Sequence, residues 1–129
     1  MTIVGIVLVA LAALLHVYIF YMESLAWTSP RVRATFGTTE EGAIATKELA
    51  FNQGFYNLFL ALTALLGIVL YLAGQPVVGL TLMFVGAGSM FAAALVLFLS
   101  SPEKRRAALT QGTLPLLGLV TLGLGTLIV

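Results

Sequence analysis

Four long apolar runs divide the chain: residues 2–22, uncharged until Glu23, then about 49–73, 77–99 and about 107–129. Each approaches the roughly 20 residues needed to cross the hydrocarbon core of a bilayer. None shows the strict alternation of a membrane-spanning strand, and in lipid every backbone polar group needs an internal partner, so the runs predict helices. Gly74-Gln75-Pro76 separates the second run from the third. Glycine ends a helix readily and proline cannot continue one, so a tight turn is expected there. The fold expected is all-α: an integral membrane four-helix bundle, with residues 1–129 as a single domain.

The polar connections predict further detail. Thr38 and Glu41 stand at capping-box spacing, which predicts that the second helix starts near Thr39 and runs two or three turns before entering lipid, with Gly42 as a weak point. The first helix is expected to continue through Trp27 and to stop at Ser29-Pro30, because the residue before proline is biased away from helix. Helices one and two are therefore expected to extend into the cytoplasm, joined by a short loop over residues 31–37.

Composition and charge sharpen this reading. The chain is 129 residues long, 60% hydrophobic and 9% charged, against roughly a quarter charged in an ordinary soluble domain. A protein this small could not bury that much apolar surface, so lipid is its solvent. The absence of cysteine excludes disulfides, thiolate metal sites and cysteine nucleophiles. The six basic residues are segregated: Arg31, Arg33 and Lys47 between spans one and two, and Lys104, Arg105 and Arg106 between spans three and four. The positive-inside rule places both connections in the cytoplasm and both termini outside. A cleavable signal peptide is not expected, since the first run has no basic start and no small-residue cleavage site. So few cations, without interleaved aromatics, exclude nucleic acid as a partner.

The candidate chemistry lies in the cytoplasmic halves of the first two helices. At about 100° per residue, His16, Phe20, Glu23 and Trp27 share one stripe. The second helix carries Glu48, Asn52 and Tyr56 on one ridge, with Gln53 and Asn57 on another roughly 140° away. One partner helix cannot satisfy both ridges, which points to a central position or to a contact across subunits. Counting from Glu23, His16 lies about 10 Å deep; counting from Leu49, Asn52 lies about 5 Å deep and Asn57 about 12 Å. His16 is therefore expected to meet the layer from Asn52 to Asn57.

Amides and histidine in a membrane commonly serve as interhelical hydrogen-bond glue, and Tyr18, Tyr21 and Trp27 fit an interfacial aromatic belt. Intramembrane ionisable residues, however, mark functional sites by default. His16, Glu23 and Glu48 are the acid–base candidates, and Trp27, Asn52, Gln53, Tyr56 and Asn57 the ligand-binding candidates. One histidine, two turns from Glu23, makes a poor metal site, and Ser89 has no basic or acidic neighbour in its span that could activate it. The many glycines and alanines of the last two helices read as packing surfaces.

Two stretches carry a family resemblance: His16-Val-Tyr-Ile-Phe-Tyr-Met-Glu23-Ser-Leu-Ala-Trp27 and Asn52-Gln-Gly-Phe-Tyr-Asn57. Together with length and four spans they resemble the small bacterial membrane proteins grouped as domain of unknown function 1304. That resemblance implies a multi-pass protein of the bacterial inner membrane and no particular activity. A more distant likeness is to the MAPEG superfamily, the membrane-associated proteins of eicosanoid and glutathione metabolism. It implies a homo-trimer, glutathione as cofactor, and a second helix with Asn52 and Tyr56 at matching positions. Glu48 stands where that superfamily has arginine and Phe55 where it has glutamate, and both of those residues help hold glutathione there. The reading that results is a protein with a polar pocket between helices one and two, open to the cytoplasm, that binds or transforms a small lipophilic molecule. The alternatives are a MAPEG-like enzyme, a small transporter or an accessory protein.

Overall fold

The computed structural model describes residues 1–128. Six α-helices follow one another: α1 (Thr2–Phe20), α2 (Pro30–Phe36), α3 (Glu40–Ala45), α4 (Lys47–Leu72), α5 (Pro76–Ser100) and α6 (Arg105–Leu127). A π-helical turn (Tyr21–Leu25) extends α1, and a 3₁₀ turn (Pro102–Lys104) leads into α6. Four of these segments are long and apolar enough to cross a membrane: Thr2–Leu25, Lys47–Leu72, Pro76–Ser100 and Pro102–Leu127. No strand occurs among the described residues.

The long helices pack as neighbours in chain order. α1 lies against α4 and α6, α5 also lies against α4 and α6, and α1 and α5 barely touch. Between them sits a core of Val9, Ala12 and Ala13 from α1, Ala61 and Ala64 from α4, Met83, Ala87 and Met90 from α5, and Leu122 from α6. The small side chains let backbones approach closely, which is how helices gain dispersion contact in lipid. Gly67 and Gly79 are the closest case, since a Cβ on either would meet backbone atoms of the opposite helix at 2.5–2.7 Å. Large aliphatic side chains face outward instead, including Ile3, Val7, Leu11 and Leu14 on α1 and Leu62, Leu66 and Val69 on α4. Such an apolar exterior suits a hydrocarbon solvent.

The first connection differs most from expectation. Ser29-Pro30 begins a helix rather than only ending one. Pro30 occupies the first helical position, Ser29 Oγ accepts from the Val32 amide at 3.4 Å, and the expected loop over 31–37 is largely α2. Gly37, at φ 65°, closes α2 with its amide donating to the Arg33 carbonyl. α1 also stops short of Trp27: the Ala26 amide reaches back five residues to the Tyr21 carbonyl, and the widened turn ends at Leu25.

The helix expected to run unbroken from Thr39 is two helices. Thr39 caps α3, its hydroxyl accepting from the Gly42 amide at 3.0 Å, so the cap lies one residue after Thr38. Thr46 then interrupts the path with φ −105° and ψ 6°, and α4 starts at Lys47. The Thr46 hydroxyl donates to the Gly42 carbonyl at 2.7 Å and accepts from Trp27 Nε1 at 3.1 Å. A side chain engaged with its own backbone in this way competes with helix continuation. Removing the α3 cap with Thr39→Ala should cost about 1 kcal/mol locally. Amide hydrogen exchange over residues 40–45 should speed up accordingly, and an unchanged rate there would show that the cap contributes nothing.

Candidate functional site

The π-helical turn brings the end of the first span against α4 through polar contacts. Asn57 Nδ2 donates to Glu23 Oε2 at 2.8 Å, and Ser24 Oγ donates to the Phe51 carbonyl at 2.8 Å. Trp27 continues the line with its bond to Thr46, and its ring packs at a 59° tilt, 5.0 Å from that of Phe36 in α2. Gly54 makes the approach possible, because a Cβ there would collide with the Ser24 side chain and stand 3.0 Å from the Ser24 amide nitrogen. Beside these contacts Phe20 meets Phe55 edge-on at 5.1 Å, and Phe55 packs on Phe51 at 5.0 Å. The extra residue in the turn rotates the residues after it, so Glu23 and Ser24 both reach α4. Single-turn π-bulges of this kind recur at functional sites.

These contacts fix a register that differs from the expected one. Glu23, not His16, stands level with Asn57. His16 lies roughly 10 Å deeper than the Glu23–Asn57 pair, which sets it opposite about residue 64. It is 2% exposed, and its Nδ1 bonds with the Ala12 carbonyl of its own helix at 2.8 Å. Asn52 and Gln53 lie on the basic side of the Asn57 level and are exposed, so the layer expected to meet His16 sits nearer the connections than His16 does. Glu48 is exposed too, and Tyr56 is 66% exposed on the outer face of α4. Of the predicted residues, then, the structure pairs Glu23 with Asn57 directly and sets Trp27 close by. Gln53 meets the pair only through its carbonyl, which accepts from Asn57 Nδ2 at 3.3 Å, and His16, Glu48, Asn52 and Tyr56 stand apart from it. Ser24 and Gly54 were missed; the small residue inside Asn52-Gln53-Gly54 was the available signal for close approach.

A cavity lies on the other flank of α1. It is a cleft of about 500 Å³ between the end of α1, α2 and the start of α6. Leu15, Ile19, Met22 and Phe36 give it an apolar floor. Glu103, Lys104 and Arg106 line its rim, with Thr110 and Gln111 one to two turns further along α6. This convergence sets residues 34–37 beside residues 103–107, so both basic connections lie at one end of the molecule. None of the residues predicted for the site lines the cleft. A smaller groove of about 220 Å³ between α5 and α6, lined by Phe91, Phe98 and Leu116 among others, carries no charged residue. Among the described residues no three His, Asp or Glu side chains stand together as a metal-ligand set.

Comparison with known proteins matches residues 10–123 to the family described as protein of unknown function (DUF1304). The chain belongs to that family. The matched DUF1304 segment contains every contact between the π-helical turn and α4, as well as the whole cleft. A similar protein is the uncharacterized protein YpaA of Lactococcus lactis subsp. lactis (strain IL1403). It is 31% identical over 123 residues, covering 94% of this chain and 98% of the relative. No solved structure matches the chain.

Proposed function

We propose that this DUF1304 protein is a multi-pass membrane protein that binds a small amphipathic molecule at its basic end, in the cleft between α1, α2 and α6. The observation that carries the reading is the cleft itself: about 500 Å³, apolar at depth and charged at the rim. That volume falls within the range of ligand sites, and an apolar lining with few placed polar groups is their usual makeup. The segregation of all six cations in the two connections at this end supports a cytoplasmic orientation. The Glu23–Asn57 contact serves this site indirectly, by fixing the end of α1, from which Ile19 and Met22 reach the cleft.

Trp27 is the only tryptophan in the chain, and its ring packs at a tilt against Phe36 in the cleft wall. Its emission is therefore a direct reporter. Titrating the full chain in neutral detergent micelles with dioctanoyl phospholipids should give a saturable change in Trp27 emission and a rise in unfolding temperature. Ala34→Phe and Ala107→Phe, which fill the cleft from its two walls, should each abolish that response by tenfold or more, on the order of the loss expected when a bound ligand is sterically excluded. A response that never saturates, or that survives in both filled variants, would sink the reading.

A second reading, an oligomer with a site on α4, is favoured by one observation. The ridge of Glu48, Asn52 and Tyr56 is exposed and lies outside the cleft. This is where a MAPEG-like trimer would place glutathione. A monomer in native mass spectrometry, with no glutathione retained, would remove it.

A further inference from the structure

We propose that the occupant of this cleft is an anionic phospholipid drawn from the surrounding leaflet, its phosphate held by Lys104 and Arg106 and its chain laid against Leu15, Ile19 and Met22. The inference rests on the binding reading above and adds the chemical class of the ligand. Two features of the cleft carry it, depth and charge.

Depth comes first. Along α1, Ile19 and Leu15 lie about 6 and 12 Å further into the span than Glu23, and along α6 Gln111 lies about 8 Å in from Arg106. The floor is thus at hydrocarbon level, while the rim sits where the charged connections meet the head groups. A molecule filling both levels has an apolar chain and a polar head in the orientation of a leaflet lipid. A wholly soluble ligand would leave the apolar floor unused.

Charge then selects the head. Lys104 and Arg106 outnumber Glu103 at the rim, giving it a net positive charge. Lys104 supplies a compact ammonium, and Arg106 a planar fork that matches phosphate oxygens. Arg105, between them in sequence, is turned away. Its Nε donates to the Phe98 carbonyl at 3.1 Å, and its guanidinium lies 4.9 Å over the Phe98 ring. The alternation of two cations in the cleft with one outside it supplies an internal control for bulk charge. Thr110 and Gln111 line the cleft below the rim, at the level where a glycerol ester would lie.

The test compares dioctanoyl phosphatidylglycerol with dioctanoyl phosphatidylcholine on the full chain in neutral micelles at about 0.15 M salt, where long-range charge effects are screened. Trp27 emission and unfolding temperature are the readouts. The wild-type chain should prefer phosphatidylglycerol. Lys104→Gln and Arg106→Gln should each weaken its binding about fivefold, the effect expected of one cation near a lipid head group, and together should erase the preference while phosphatidylcholine still binds. Arg105→Gln, which removes the same charge, should leave the preference intact. Equal losses in all three variants would reduce the effect to bulk charge and overturn the proposal. A preference that persists in the double variant would overturn it too, while leaving the binding reading standing. Stabilisation by glycerol 3-phosphate alone equal to that by phosphatidylglycerol would assign the site to a soluble anion. If neither lipid gives a saturable response, the binding reading itself falls, and the lipid assignment with it.

Discussion

Gly79→Val should destabilise the protein by about 3 kcal/mol, the upper end of what overpacking costs in a tightly packed interior. The side chain would enter the space where α5 meets α4. There the Tyr71 amide nitrogen lies 2.5 Å from the point a Cβ would occupy, and the Gly67 carbonyl oxygen 2.7 Å. Both are main-chain atoms, so neither can swing aside as a side chain could, and the helices must separate along their length. Gly88→Val and Gly123→Val provide the contrast, because a Cβ at either position meets nothing within 4 Å. Unfolding in mixed micelles of increasing dodecyl sulfate content should shift strongly for Gly79→Val and only slightly for the other two. Equal shifts in all three would mean that loss of glycine in the helix, not the α4–α5 contact, sets the cost.

Asn57→Leu should cost about 2 kcal/mol, because it leaves the Glu23 carboxyl half-buried without its amide donor. Glu23→Gln should cost less than half as much, since a glutamine carbonyl still accepts from Asn57. Adding Glu23→Leu to Asn57→Leu should recover part of the loss, as replacing both partners with apolar groups usually does. Asn52→Leu, at an exposed position four residues after Glu48 on the outer ridge, should stay within about 0.5 kcal/mol of wild type. A full cycle of unfolding measurements on these variants gives the coupling directly. Additive losses would show that the two side chains do not support one another.

The spans were legible because a bilayer-crossing helix leaves a long, uncharged run, and the polar residues were legible because they interrupt such runs. What each polar residue touches was not. His16 and Asn57 fall at similar depths when each helix is counted from its own boundary, yet the register depends on the π-helical turn and on Gly54 seating against Ser24. The turn has no sequence period. The first connection was obscured for a different reason. Ser29-Pro30 is both a helix stop and a helix start, because a capping serine before an N1 proline opens a helix as readily as the pair ends one. The cleft depends on Phe36, Met22 and Lys104 converging from three separate segments. Such convergence is a property of packing, and no local pattern announces it.

The three joints between the long helices are unequal. α4 passes into α5 through Ala73-Gly74-Gln75, where Gly74 takes φ 84°, and α5 passes into α6 through Ser101 and one 3₁₀ turn. Neither joint has slack, so an inserted residue would push adjoining helices out of register. Between Leu25 and Lys47 the chain instead carries α2 and α3, two short helices that add no residue to the core shared by the four long helices, Val32 packing with Ile19 and Met22 in a separate, smaller cluster. One wall of the cleft belongs to that segment. Among descendants of one ancestor, changes in length should therefore gather between α1 and α4, and each would resize the cleft while the four spans stay as they are.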